Sequence, residues 1–448
     1  MRLLAATTAA LALTTGASPT AHGSPPGVDG VWRVDGYGTV LALGHGVYQE
    51  YQTTSVSCLK GDTARQTGPG TYTSDGDVLT VRLARDPDHA AVTTDSEVGH
   101  RRLHRIAALP RACTHPSPTD PCTTFDVFWQ SFAENYPFFT AKGIDWQATR
   151  DRYRPLVRAD TTHARLFDIF RRMVTPLYDA HVLVQDGDRL FGEGRPGTEM
   201  PSEQLNDRIK KYVVGRDLKN ATAREDFANG RITYATLPAG GPAYLRIATF
   251  SGYTTANDSY AADLAELDRA LDAVLAHRPH GLIIDLRVNG GGSDALGIHI
   301  AERLTDTPYV AYSKRARNDP ADPARHTHPE PIPVVPAAGP RYTGPVAVLT
   351  GGSTVSAGET FTQALIDRPG RTIRIGQPTQ GVFSDVMIRR LPDGMAVWLP
   401  NEEYLTSTGH TFDGTGVPPH LTEPVFTARE FAEHRDSAFD RAVRVLRG

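Results

Sequence analysis

Ile284-Asp285-Leu286-Arg287-Val288-Asn289-Gly290-Gly291-Gly292 runs an apolar segment straight into three consecutive glycines. Together with Leu282 and Ile283 before it, the run lacks polar alternation, which predicts a strand buried on both faces, as in parallel sheets covered by helices. Glycine loses more backbone entropy on folding than any other residue, so three in a row need a reason. One reason is a tight turn; another is a turn with positive φ that aims N–H groups outward. A phosphate cradle is disfavoured, because the Lys-Ser/Thr of a P-loop is missing and the spacing is not that of a dinucleotide fingerprint. Asp285 and Arg287, at the strand end, read as a structural ion pair.

Downstream, Ser353-Thr354-Val355-Ser356-Ala357-Gly358-Glu359 places a serine at the start of a helix. Free N–H groups and the dipole at that end can stabilise negative charge developing beside the serine oxygen. Ser356-Ala357-Gly358-Glu359 is equally a capping box, with serine as cap and glutamate reaching back. Read locally, both meanings stand.

Working outward, strands over 244–247, 282–285, 346–350 and 372–375 alternate with helices over 261–276, 295–304 and 357–366, and later strands follow near 386–391 and 396–399. This order predicts a largely parallel sheet covered by helices, an α/β unit over 243–448. Within it, residues 315–340 are dense in Pro, His and charge and read as an exposed loop. Residues 27–109 consist of short β segments broken by glycine turns, with Asp75-Gly76 as a hairpin signal, and predict a small β domain, sandwich or barrel. Residues 110–123 read as a linker. Residues 124–190 have helical periodicity through Phe125, Phe128, Phe132 and Tyr136, then 146–154 and 164–174, and form a helical subdomain that leaves through Asp179-Ala180-His181-Val182. Residues 191–242 are polar and weakly periodic, a connecting region with a short strand near 231–237.

Composition narrows the partners. Net charge is -4 with both signs interspersed, so no basic stripe points to nucleic acid. Residues 1–23 follow a secretory signal pattern, with an early arginine, an apolar run and small residues, and predict a secreted or extracytoplasmic protein; no later segment predicts a membrane span. The three cysteines are Cys58, Cys113 and Cys122. In an oxidising compartment Cys58–Cys113 and Cys113–Cys122 are equally expected structural bridges. Oligomeric state is not readable.

The chain resembles the C-terminal processing (tail-specific) serine proteases, peptidase family S41, in their tricorn-core-like branch. The resemblance runs from Phe125 onward, through Glu134-Asn135-Tyr136-Pro137-Phe138-Phe139 with Asp145-Trp146, Leu177-Tyr178-Asp179-Ala180-His181, Asp285 to Gly292, and Ser356-Ala357-Gly358-Glu359. Gly376-Gln377-Pro378-Thr379-Gln380-Gly381 and Asp413-Gly414-Thr415-Gly416-Val417-Pro418-Pro419 complete it. It implies a ClpP/crotonase-like core with the helical and β units in front, and a serine peptidase acting on a peptide or protein. Ser356 matches the nucleophile. Where dyad members of the family place a lysine after the Gly376–Gly381 motif, this chain has Val382, so the resemblance passes the general base to His181, as in the tricorn-like branch. Ala180 stands where tricorn has a bridging serine. Asp413 matches the acid, with Glu403 and Glu402 as alternatives; backbone N–H groups of Gly291 or Gly292 and of Ala357 match the oxyanion hole. Such acyl transfer needs no metal and no organic cofactor. No PDZ domain fits between Asp186 and Ala243. Two other activities share the scaffold: non-catalytic binding of a small ligand or peptide, as in retinoid-binding relatives, and hydrolysis of non-peptide esters or amides.

Overall fold

A computed structural model describes residues 27–74, 76–238, 240–255 and 259–447. The signal pattern of 1–23 lies outside the described residues. Among them, no helix is long and apolar enough to cross a membrane.

The N-terminal strands form a closed eight-stranded barrel, each strand antiparallel to the next and Arg101–Ile106 closing on Gly30–Val34. His45 and Gly46 both adopt positive φ between Thr39–Gly44 and Val47–Thr53, which is the two-residue turn that matches strand twist. The expected hairpin pairs Ser74 with Asp77. Trp32, Leu41, Tyr72 and Leu103 fill the interior. Cys58 on a barrel strand is bonded to Cys113 in the short helical turn Arg111–Thr114, and Cys122 is free.

Three helices follow, Pro121–Asn135, Trp146–Tyr153 and His163–Val174, each started by a side-chain cap from Asp120, Asp145 or Thr162. Phe128 stacks on Phe170 with ring centroids 3.9 Å apart, and Phe132 and Trp146 pack beside them. Their core does not stay within one sequence region. Leu391, Met395, Val397 and Leu399 close it from far along the chain. The strand Leu183–Asp186 pairs with Ala396–Pro400, so the chain just after His181 is sewn to the C-terminal half.

The central sheet has the order Ala223–Phe227, Ile232–Thr236, Ala243–Ile247, Leu282–Asp285, Val346–Thr350, Thr372–Gly376 and Leu421–Thr422. The first three strands are antiparallel and the remainder parallel. Buried strands have two apolar faces: Leu282 and Ile284 pack against helices Tyr260–Ala276, Asp294–Glu302 and Ala357–Ala364, whereas Ile283 packs against Glu203–Arg216 and Ser437–Arg447. The result is a three-layer α/β/α core.

Two expectations are corrected. The region 191–242 holds, besides the expected strand, which runs over Ile232–Thr236, the helix Glu203–Arg216, capped by the Ser202 side chain, and the strand Ala223–Phe227. Its apolar stripe is only Leu205, Ile209 and Val213, too narrow to stand out among charged residues. The region 315–340 is not a loop throughout: Glu330–Val334 is a strand with Ile332 and Val334 buried, antiparallel to Tyr309–Ala316. Its prolines are tolerated because it is the edge of a three-stranded sheet.

Candidate active site

After the central strand, Val288–Asn289 pairs in parallel with Ser353–Thr354, which brings the glycine turn against the start of the Ser356 helix. Asn289 organises the turn: its Nδ2 donates to the Ile247 carbonyl at 2.8 Å and its Oδ1 accepts the Gly291 N–H at 2.9 Å. Gly291 has φ +81°, and a Cβ there would stand 2.6 Å from Ser356 Cβ; Gly292 has φ +128°, and its Cβ would meet the Phe250 carbonyl oxygen at 2.4 Å. Both positions therefore require glycine, for backbone conformation and for space.

Ser356 itself sits at φ +55°, ψ -122°, a region that residues with a Cβ rarely occupy. The Ser356 side chain makes no cap hydrogen bond; the Glu359 N–H goes instead to the Ser356 carbonyl oxygen at 2.7 Å. The glutamate half of the box is made, since Glu359 accepts the Ser356 N–H at 3.2 Å. The strained serine faces a cavity of about 370 Å³, lined by Ser356, Gly292, Phe250 and Asp385 from the core and by Asp77 and Glu97 from the barrel. Of the expected backbone donors, Gly291 spends its N–H on Asn289. Gly292 lines the cavity beside Ser356, and Ala357 N lies 3.2 Å from where a Gly291 Cβ would be.

His181 is buried, and its Nδ1 is 3.3 Å from the backbone carbonyl of Phe383. That carbonyl can only accept, so Nδ1 carries the proton and Nε2 is left with the basic lone pair. Burial pushes the imidazole below the usual histidine range, opposed by the nearby Asp179. Asp179 accepts the His181 backbone N–H at 3.0 Å and the Tyr136 hydroxyl at 2.8 Å. His181 and Ser356 are not hydrogen-bonded to each other; the loop after Gly381 joins their surroundings.

Asp413 reaches this loop without a hydrogen bond to the imidazole. Its Oδ2 accepts the Phe383 N–H at 3.3 Å, and its Oδ1 is 3.5 Å from Lys142 Nζ, which is also 3.7 Å from Asp179. Burial, and then the charge of Asp179, raises the Asp413 carboxyl well above the usual range, while Lys142 opposes. The alternative acids are engaged elsewhere. Glu402 accepts from the Tyr37 hydroxyl and pairs with Lys314 at 3.3 Å; Glu403 pairs with Arg315 at 2.7 Å and His326 at 3.1 Å. Neither is hydrogen-bonded to His181.

Val382, where the sequence resemblance leads one to expect a lysine, is buried and donates its N–H to Glu359 at 2.9 Å. Asp285 and Arg287 form an ion pair at 2.7 Å, extended by Asp436 at 2.6 Å from Arg287, on the far side of the strand end. Sequence reading missed the Phe383 carbonyl, Lys142 and the reach of Glu359. A backbone acceptor has no residue signature, and Lys142 sits in a loop after the quoted aromatic motif; only Glu359 lay within a motif already singled out.

Residues 242–422 match the model of peptidase family S41, and residues 118–175 match that of the tricorn protease C1 domain. The carboxyl-terminal-processing protease of Picosynechococcus sp. is 26% identical over 39% of this chain, which spans only 39% of that relative's length. Carboxyl-terminal-processing peptidase 3, chloroplastic, of Arabidopsis thaliana is 26% identical over 74% of this chain and 79% of its own. A solved Parabacteroides merdae protein aligns with TM-score 0.62 and 23% identity over 74% of this chain and 98% of that one, a likeness of fold.

Proposed function

Because this chain belongs to peptidase family S41, we propose that it is a serine peptidase in which Ser356 attacks a peptide carbonyl and His181 is the general base. The observation that carries the reading is the strained Ser356, held at positive φ against the Gly291–Gly292 turn and open to the cavity. In the first step the Ser356 Oγ–carbon bond forms as its proton passes to His181 Nε2, and the resulting oxyanion is met by the N–H groups of Gly292 and Ala357. Collapse breaks the C–N bond, and His181 returns the proton to the leaving amine. Water then repeats the sequence on the acyl-enzyme. A neutral imidazole is the form that accepts a proton, which is what burial of His181 favours.

Asp413 has the role of a positioning residue in this reading. It holds the peptide unit of Phe383, and Phe383 holds the imidazole. The reading places the mature chain outside the cytoplasm, as the signal pattern of 1–23 expects, and the Cys58–Cys113 bond supports an oxidising compartment.

The test is labelling by a fluorophosphonate together with cleavage of a peptide library. Wild type should be labelled and should cut peptides, and Ser356→Ala should do neither. Labelling that persists in Ser356→Ala would overturn the nucleophile; labelling without cleavage of any peptide, but with ester hydrolysis, would overturn the substrate class.

A further inference from the structure

We propose that Glu359 is a positioning residue that locks the nucleophile to the loop holding its base, one carboxylate serving both at once. This rests on the reading of Ser356 and His181 given above. In an ordinary capping box the N3 glutamate accepts the cap residue's N–H at an exposed helix end. Glu359 is instead fully buried, with 0% exposure. Its Oε2 accepts the Ser356 N–H at 3.2 Å and the Val382 N–H at 2.9 Å, and its Oε1 accepts the Gly381 N–H at 2.6 Å. Thr379 adds a side-chain hydrogen bond.

The consequence follows from which backbone units are tied. Ser356 N–H belongs to the residue whose φ is strained, so its anchoring opposes relaxation of the nucleophile. Gly381 and Val382 immediately precede Phe383, whose carbonyl orients His181. Beyond Phe383 the loop is held again, with Ser384 at φ +102° and its Oγ accepting the Asn401 and Glu402 N–H groups. Glu359 therefore transmits position from helix to loop through two oxygens. A buried carboxylate is costly unless its acceptor sites are filled, and here backbone donors fill them. Burial nevertheless pushes Glu359 up to about 7, with Thr379 and the three N–H groups opposing. The charge of Glu359 in turn reaches Asp413, with Lys142 beyond, between Asp413 and Asp179.

Glu359→Gln keeps the shape but presents an NH₂ group to one set of N–H donors, so at least one tie is lost. The experiment is the rate of fluorophosphonate labelling of Ser356 from pH 5 to 9, resolved into the maximal inactivation rate and the probe's apparent affinity, with thermal unfolding on the same samples. The expected result for folded Glu359→Gln is a maximal rate lower by about 10-fold or more with affinity within about threefold, and loss of the wild-type acid limb near neutrality. A folded variant with the wild-type rate and the wild-type pH profile would overturn the proposal. Should Glu359→Gln not fold, Glu359→Asp, which keeps a titrating carboxyl and shortens the reach, takes its place on the rate and affinity alone: a lower maximal rate with near wild-type affinity is expected, and a wild-type rate would overturn the proposal. A wild type that is not labelled at all sinks the peptidase reading itself; a labelled wild type beside an unaffected variant sinks only the coupling.

Discussion

The carbonyl oxygen of Phe383 stands 3.3 Å from Nδ1 of His181, in the place where a carboxylate orients the histidine of a Ser-His-Asp arrangement. Asp413 is one peptide unit removed, bound to the N–H of the same Phe383. A carbonyl fixes the tautomer as a carboxylate does, but it carries no full charge with which to stabilise an imidazolium. Two mutations at this site should therefore differ in severity.

His181→Ala should lower the fluorophosphonate labelling rate by roughly a thousandfold or more, the scale of losing a positioned general base together with its return of the proton. Asp413→Asn should cost about tenfold, because asparagine can still accept the Phe383 N–H through its Oδ1. Equal losses in the two variants would show that Asp413 acts on the imidazole directly.

Gly291→Ala tests the support behind Ser356. Its Cβ would stand 2.6 Å from Ser356 Cβ, and the residue would be left at φ +81°. Labelling should fall by about a hundredfold, and unfolding stability by about 1–3 kcal/mol, the cost of a strained backbone and overpacking. The check is labelling beside thermal unfolding; near-normal labelling would mean the turn does not set the serine's position.

Asp217 gives a pH-dependent stability. Its side chain is buried beside Arg216 at 2.8 Å, and burial, then the charge of Asp436, raises its carboxyl to about 9. In the unfolded chain an aspartate titrates near about 4. Between those values the folded state holds the extra proton, so stability is greatest on the acid side and falls as pH rises through the window. Asp217→Asn stays neutral and its Oδ1 can still accept from Arg216. It should flatten this dependence and raise the melting temperature at pH 8 by roughly 2–4 °C, read by thermal unfolding from pH 5 to 9.

The Cys58–Cys113 bond closes a loop with a sequence separation of 55. By loop-closure entropy Cys58→Ser should lower stability by about 4 kcal/mol, with the loss felt first in the barrel and its link to the helices. Denaturant unfolding with and without reductant measures it, and reductant should have no effect on the variant.

Much of the core was legible because strand and helix periods speak locally. Leu282 to Asp285, Val346 to Thr350 and Thr372 to Gly376 are short apolar runs bounded by turns, and the structure places them side by side. The barrel's glycine turns were written in the same local code. The helix Glu203–Arg216 escaped since a three-residue apolar stripe in a charged segment carries little periodic signal. The strand Glu330–Val334 escaped since proline argues against strands except at edges, and an edge is a property of the sheet.

By itself the sequence determined the order of the main strands and helices of the core, the glycine turn after the central strand, and the absence of a lysine at Val382, because each depends on neighbours within a few residues. Only the tertiary structure decided that Cys58 pairs with Cys113, that a backbone carbonyl holds His181, and that Glu359 ties Ser356 to Gly381 and Val382. Those contacts join residues far apart in the chain, through backbone groups that every residue possesses. Nothing in residue identity marks which of them will meet until the fold brings them within hydrogen-bond distance.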